Sequence, residues 1–411
     1  MSLGLLDLRV IESSAFIAAP LAGLSLAQFG ADVIRVDMIG GGIDYGRLPL
    51  MPSGRSLYWT GLNKGKRSIA LDLRKPEGRE LVRALVTAPG DEGGVLLTNI
   101  GTPWLAHESL AALRPDVVTC TIQGNADGST AVDYTVNCAT GYPAVTGGGS
   151  LHAPVNHVLP AWDIACAFQA AFAVLAAVDR RRRTGEGAGL ELALSDVAFS
   201  TLSHLGVMTE AELLGQERPS IGNHIYGAFG RDFGTADGKR VMVAAISAGQ
   251  WTSLVRACGA ERSIAALESS MQRDFSREAD RFDARNAIAA LFEPWFAARP
   301  LQEIGKTFDQ NRVCWGVYGG VRDLIANDPR VGVSNPVFER LETPGVGAHL
   351  AAGTPVRATG APRGTTAAAP LLGQHTDEVL SSVLKLDSGA IGKLHDASIV
   401  AGPERDPTVH R

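Results

Sequence analysis

Short apolar runs alternate along the chain with longer stretches of helical period, a pattern that predicts strands separated by helices. Leu8–Glu12 reads as a first strand. Ser13 and Ser14 read as the cap of a helix ending near Phe29, with Gly30 as its stop, and Asp32–Val36 reads as the next strand. Such a strand, helix, strand unit implies a parallel sheet with right-handed crossovers. Further strands are predicted at Ser68–Leu73, Val95–Thr98, Val117–Ile122 and Leu190–Leu194, with helices from Pro76, around Glu108–Leu113 and over Val197–Leu214. The span Gly124–Pro154, which holds VDYTVN and Gly147–Gly149, lacks helical periodicity and reads as a functional loop.

The longest apolar stretch is Ile164–Val178, opened by Asp163 and closed by Asp179, Arg180–Arg183 and Gly185. Apolar residues occupy every face of its helical repeat, which predicts a buried helix, shorter than the ~20 apolar residues of a bilayer span. The arginines suit the negative end of the helix dipole and Gly185 suits the stop. Asp163 therefore stands at the head of a core helix. Two roles are open to it there, a helix cap or a nucleophile held ionised and aimed out of the scaffold.

Beyond Leu214 the pattern changes. A connection at Arg218–Phe233, a hairpin turning at Asp237-Gly238 and helical patterns up to Ile325 predict a second, smaller α/β domain over 225–330. From Asn335 onward Pro336, Pro344, Gly345, Pro355 and Pro362 predict an extended segment, followed by a closing helix capped by Thr376.

With 411 residues, 45% hydrophobic and 20% charged, the composition is that of a soluble globular protein, and the net charge of -5 argues against nucleic acid as a partner. The start, MSLGLLDLRVIE, lacks the basic region of a signal peptide, and no membrane partner is expected. Cys120, Cys138, Cys166, Cys258 and Cys314 lie far apart with no CxxC pair, which fits a reducing cytoplasm. The histidines form no HxH or HxxxH pair, so no metal site is expected. Gly40–Gly42 follow the second strand rather than the first, which is the wrong place for a dinucleotide fingerprint. The basic loop Lys64, Lys66, Arg67 reads either as solvated charge or as a grip on phosphates, and Asn99 sits just past a strand end, where open α/β sheets bind ligands.

The stretches LRVIESSAFIAAPLAGLSLAQFGADVIRVD, LNKGKRSIALDLRKPEGRELV, PAWDIACAFQAAFAVLAAVDRRRRTGEGAGLELALSDV and GQHTDEVL resemble, in order and spacing, the class III CoA-transferases. That family includes formyl-CoA transferase, carnitine CoA-transferase and alpha-methylacyl-CoA racemase. More narrowly, GGGIDY, VDYTVN, VNHVLPAWDIA and IYGAFGRDF resemble a branch that moves CoA between the two carboxylates of one dicarboxylic acid, mesaconic acid. The resemblance implies an α/β fold with a Rossmann-like open parallel sheet in a large, discontinuous CoA-binding domain, 1–215 and 335–411, beside the smaller domain, in an interlocked homodimer. It implies an acyl-CoA thioester of a small dicarboxylic acid as substrate, CoA being part of that substrate and no separate cofactor being needed.

By the same resemblance Asp163 is the nucleophile, and Phe16, Lys66, Arg67, Asn99 and Ile100 hold CoA. Arg47, Tyr134, His157 and Arg231 are then candidates for holding the acyl part. The chain departs from the family pattern in three places. Asp37-Met38 and TNIGTP lack arginines that many relatives carry, and Val132 stands where the racemases have a histidine. Intermolecular CoA transfer is the alternative reading; racemase chemistry is disfavoured because a valine cannot move a proton.

Overall fold

The predicted apolar runs form six parallel strands, each within two residues of its expected ends. They are β1 (Arg9–Ser13), β2 (Asp32–Met38), β3 (Arg67–Leu71), β4 (Val95–Thr98), β5 (Val118–Gln123) and β6 (Ala188–Ala193). A two-residue strand, Val400–Ala401, pairs antiparallel with β3 and completes a seven-stranded sheet. Between these, the order β3, β2, β1, β4, β5, β6 is that of a Rossmann-like sheet. The order reverses at β1, which pairs with β2 on one side and β4 on the other. In open sheets of this kind the crevice beyond the carboxyl ends of β1 and β4 is the ligand site. The computed structural model describes residues 3–147, 153–361 and 363–409. Gly148 and Gly149 of the glycine run, and Pro362, lie outside the described residues.

The helices in this part of the chain are α1 (Ala18–Gln28), α2 (Leu57–Leu62), α3 (Pro76–Thr87), α4 (His107–Ala111), α5 (Asp133–Asn137), α6 (Tyr142–Thr146), α7 (Ala161–Thr184), α8 (Leu194–His204) and α9 (Val207–Leu214). Several sequence expectations are corrected. Ser13 belongs to β1, and the Ser14 hydroxyl donates to Glu12 at 2.7 Å, so neither serine caps α1. The span read as a loop contains α5 and α6. The single helix expected over Val197–Leu214 is broken at Gly206, whose φ of 74° only glycine adopts cheaply. Thr376 opens its helix without capping it, because its hydroxyl donates to Ala401 O at 2.7 Å and accepts from Ala70 N at 3.1 Å.

The central helix α7 packs against α1, α8, β5 and β6, with Cys166, Ala167, Ala170 and Val174 buried. Gly185 ends it in the left-handed conformation, its amide donating to Arg181 O at 2.8 Å, as the sequence predicts. Arg181 is buried and ties the helix end to Gly93 O (2.8 Å) and Gly94 O (3.1 Å). The helix is not buried on every side, however. Phe168 and Phe172 remain 56% and 69% exposed in the single chain.

The chain divides into two compact units, one of Met1–Thr140, His157–Gly215 and Pro329–Arg411, the other of Gly141–Asn156 and Gln216–Asp328. The second unit contains β7 (Phe229–Gly234), β8 (Arg240–Ala245) and β9 (Cys314–Val317), which form an antiparallel sheet with the β7–β8 turn near Gly238. Its core is aromatic: Phe233 stacks on Phe296 at 4.2 Å, and Phe229 packs edge-on to Trp251 at 5.6 Å. In the first unit, the Pro/Gly segment after Asn335 is extended as expected but folds back on itself as a hairpin of β10 (Phe338–Thr343) and β11 (Gly347–Ala352).

Candidate active site

Pro160 precedes α7 and offers it no side-chain cap. The cap is supplied by α5 instead. One oxygen of the buried Asp133 carboxylate accepts the amides of Trp162 (2.7 Å) and Asp163 (3.1 Å), and the other lies 2.9 Å from His157 Nε2. One helical turn further on, Asn137 accepts the Trp162 indole N–H at 3.0 Å. The VDYTVN motif thus presents two polar side chains on one face of α5, and both grip the head of α7.

Asp163 is the third residue of α7, and this arrangement excludes a capping role for it. The free amides at the helix start are already bound, and the Asp163 carboxylate accepts no hydrogen bond among the described residues. Burial first, then the charge of Asp133, push its pKa up to about 6; Arg47 opposes both. The group is therefore a basic, unpartnered carboxylate at the carboxyl edge of the sheet, which is the condition of a nucleophile rather than of a scaffold residue.

Arg47 lies 5.5 Å from the Phe16 ring centre and 5.1 Å from that of Tyr58, stacked against both. Its guanidinium makes no hydrogen bond or ion pair among the described residues. The Tyr58 hydroxyl is buried without a partner among the described residues, and its pKa is pushed up to about 12, chiefly by burial, with Asp163 adding to the rise and Arg47 opposing it. Phe16 holds a φ of 65°, a strained value for an aromatic residue. Two side chains fix it there: Asp44 accepts the Phe16 amide at 3.0 Å, and Asn99 clasps Ala15 through both its oxygen (2.9 Å) and its nitrogen (2.7 Å). Asn99 thus reaches across the switch point from β4 to the loop after β1.

The remaining candidates divide. Lys66, expected to reach CoA, is 3% exposed, and its Nζ donates to Glu12 (2.9 Å), Pro20 O (2.8 Å) and Asn63 (2.9 Å). All three of its donors are used, so that expectation is corrected: Lys66 is an internal ion-pair residue. Burial pushes its pKa down to about 8 against the pull of Glu12. Arg35 joins the same cluster, pairing with Asp37 (2.8 Å), Glu12 (3.3 Å) and Asp44 (3.3 Å). The packing is close enough that a Cβ on Gly23 would stand 1.7 Å from Glu12 Oε2, so only glycine fits there.

Arg67 opens β3 and pairs with Asp32, at the start of β2, and with Glu378 at 3.1 Å. Its guanidinium is thus turned back toward the start of β2 and committed to ion pairs there, away from a site built on Phe16 and Asn99. That expectation is corrected too.

Ile100 lines a cavity of about 530 Å³ together with Thr98, Thr121, His107 and Glu191. Cys120 faces α7, where it acts on Cys166, so Thr119 and Thr121 alternate to the other face of the sheet. The cavity is therefore on the face away from α7, and Asp163 is not in its lining. Tyr134 is exposed, with its ring 6.3 Å from that of His157 and its hydroxyl 3.4 Å from Val158 O. His157 is engaged with Asp133 through Nε2. Arg231 belongs to the second unit, where its Nε donates to Asp232 O at 3.1 Å and its guanidinium lies 5.3 Å from the Phe233 ring centre. Among the described residues, no three His, Cys, Asp or Glu are grouped to hold a metal ion.

Residues 5–376 match the family described as CoA-transferase family III. The chain belongs to that family. A 2-methylfumaryl-CoA isomerase of Chloroflexus aurantiacus is 49% identical over 400 residues, covering 97% of this chain and 98% of that protein. A formyl-CoA:oxalate CoA-transferase of Rhodopseudomonas palustris is 26% identical over 433 residues, covering 98% and 99%. Among solved structures, a CAIB/BAIF family protein from Brucella suis superposes with a TM-score of 0.73 at 25% identity, over 92% of this chain and 98% of that one. The resemblance read from the sequence therefore holds along the whole chain, and the molecule is an enzyme of the CoA-transferase family III.

Proposed function

We propose that this enzyme moves CoA from one carboxylate of 2-methylfumaryl-CoA (mesaconyl-CoA) to the other, with Asp163 as the covalent carrier. The observation that carries the chemistry is the Asp163 carboxylate itself, fixed at the head of a core helix yet, among the described residues, neither capping nor paired. The substrate rests on the 49% identity to the Chloroflexus isomerase.

In the first step an Asp163 oxygen attacks the thioester carbonyl. A C–O bond forms, the C–S bond breaks, and CoA leaves as thiolate from a mixed anhydride. The thiolate then attacks the Asp163 acyl carbon, giving an aspartyl-CoA thioester and the free dicarboxylate. The second carboxylate of that acid attacks the new thioester and expels thiolate again. Attack of the thiolate on the substrate's acyl carbon releases the isomeric thioester and restores Asp163. No proton is consumed, and the thioester energy is conserved throughout.

Arg47 suits the free carboxylate of the substrate. A planar guanidinium held between two rings, with its donors unused, offers a fixed fork for bidentate binding. Phe16 and the exposed Ile100 offer apolar contact along the CoA arm. Racemization is set aside because Val132, where the racemases place a histidine, carries no proton. The enzyme is placed in the cytoplasm, where its five free cysteines would stay reduced.

The assay is direct. With 2-methylfumaryl-CoA alone, the parent should yield the regioisomeric thioester, and Asp163→Ala should not. Turnover that starts only when a second free acid is added favours intermolecular transfer, the reaction named for the Rhodopseudomonas relative. We also propose a homodimer. Phe168, Phe172, Phe199, Leu205, Leu213 and Leu214 are exposed along α7, α8 and α9, and a second copy would cover this apolar surface. A monomer in sedimentation at micromolar concentration contradicts that proposal.

A further inference from the structure

The two amides at the head of α7 would ordinarily be the natural donors to a carboxylate at the third helical position, or to an oxyanion formed beside it. Here neither is available, because Asp133 binds both from a different helix. Asp133 is 1% exposed, and its second oxygen is turned away from the amides toward His157, 2.9 Å off. His157 lies near the rings of Tyr134 (6.3 Å) and Trp162 (6.4 Å), and the Trp162 indole is itself tied to Asn137. A buried charge kept this close to a second carboxylate carries an electrostatic cost that a neutral cap would avoid. A serine or asparagine would satisfy the same amides.

We propose that Asp133 is a positioning residue for the transfer reaction: held by His157, it occupies the helix-start amides and so leaves the Asp163 carboxylate unbound and oriented for attack. The inference rests on the reading of Asp163 as nucleophile. It assigns the reaction's oxyanion to donors other than these amides, and it explains why the motif carries an acid there.

The electrostatic surroundings agree. The groups that act on Asp163 or face it are Asp133 from α5, Arg47 from the segment before α2, Tyr58 on α2, Cys166 one turn along α7, and Tyr134 and His157 beside the helix start. Of these, Asp133 is the negative group that raises the basicity of Asp163. Removing its charge lowers that basicity and moves the acid limb of the reaction toward lower pH.

The test follows formation of the Asp163 adduct in single turnover, trapped with hydroxylamine after mixing with 2-methylfumaryl-CoA and mapped by mass spectrometry, from pH 4.5 to 8. Asp133→Asn keeps an oxygen for the amides and removes the charge. Its acid limb should move down by about 1 pH unit from a parent midpoint near 6. Asp133→Ala removes the grip as well, and its adduct rate should fall on the order of 10²-fold through misplacement of the nucleophile. His157→Gln retains an N–H donor for Asp133 and has no imidazole, so its limb should stay at the parent position.

An Asp133→Asn profile superimposable on the parent overturns the proposal, as does a limb that moves with His157→Gln instead. A loss of thermal stability in either Asp133 variant without a change in profile shows a structural cap only, and also overturns it. Asp163→Ala in the same assay separates the two levels. If it still forms an adduct, the nucleophile reading fails and this proposal with it; if it forms none, the Asp133 variants decide the positioning role alone.

Discussion

Two clusters of charged side chains stand near the carboxyl edge of the same sheet, and they differ in one respect. In the first, Glu12, Arg35, Asp37, Asp44 and Lys66 meet inside the fold, and their charges are matched by one another, by Ser14, Ser68 and Asn63, or by a main-chain carbonyl. In the second, Asp163 and Arg47 stand close enough to influence each other, yet the carboxylate accepts nothing and the guanidinium donates nothing among the described residues. The first cluster is buried, whereas in the second Asp163 is half-buried and Arg47 is exposed. The first is a solved electrostatic problem, and changing it should cost folding. The second leaves the half-buried Asp163 carboxylate without a protein partner among the described residues, which costs stability and is retained where a substrate completes the set.

The sharpest way to break this contrast is Asp163→Asn. Adduct formation and turnover should fall by about 10³-fold or more, while CoA-thioester binding persists. Stability should move the other way. Asp163 holds its proton more tightly in the folded chain than in the unfolded one, so its ionised form opposes folding above about pH 6. That cost fades as pH falls through 6 toward the unfolded value of about 4. The variant should thus exceed the parent by on the order of 1–2 kcal/mol in urea unfolding at pH 8, with about a third of the gain left at pH 4.5 and nearly none at pH 3. A variant less stable than the parent at pH 8 would place Asp163 among the satisfied charges after all.

Next in size comes Lys66→Met, which strips the first cluster of one cation and leaves Glu12 underpaired at full burial. A loss of about 3–5 kcal/mol is expected, with substrate KM unchanged in whatever fraction stays folded. Arg47→Lys should show the opposite signature. The charge remains but the planar fork and the ring stacking are lost, so KM should rise about 10- to 100-fold. Its unfolding free energy should stay within about 0.5 kcal/mol. If the two variants exchange signatures, the division into structural and chemical clusters is wrong.

Much of the first unit was legible because its signals are local. Apolar runs marked β1 to β6, Gly185 marked the end of α7, and the unbroken run after Asp163 marked a core helix with an acid at its head. What escaped depends on residues far apart in the chain. Lys66 sits in a Lys-Gly-Lys-Arg loop that looks solvated, and only the fold brings it to Glu12, 54 residues earlier. Asp133 caps a helix whose first amide lies 29 residues downstream, so no local capping signature announces it. The five residues of α5 are too few to show a helical period. Asn99 was placed at the right strand end, but its carboxamide holds Ala15 in place. The break at Gly206 was available to the sequence, as a glycine inside a helical pattern, and was outweighed by the apolar residues around it.

The smallest expected effect concerns the seam between the clusters. Asp44 belongs to the first through Arg35, and through the Phe16 amide it sets the ring that shelves Arg47 in the second. Phe16→Gly removes the strain at φ 65°, a gain of about 1 kcal/mol. It also removes a cation–π contact worth about 0.5–1 kcal/mol and some buried ring area, so folding stability should change by less than about 1 kcal/mol. The functional change should be larger than the structural one. Without its shelf, Arg47 regains rotamer freedom, and a KM increase of a few-fold with kcat little altered is the expected split. If instead kcat falls with KM constant, Phe16 acts on the reacting centre itself, and the strained loop belongs to the chemistry rather than to the frame that holds Arg47.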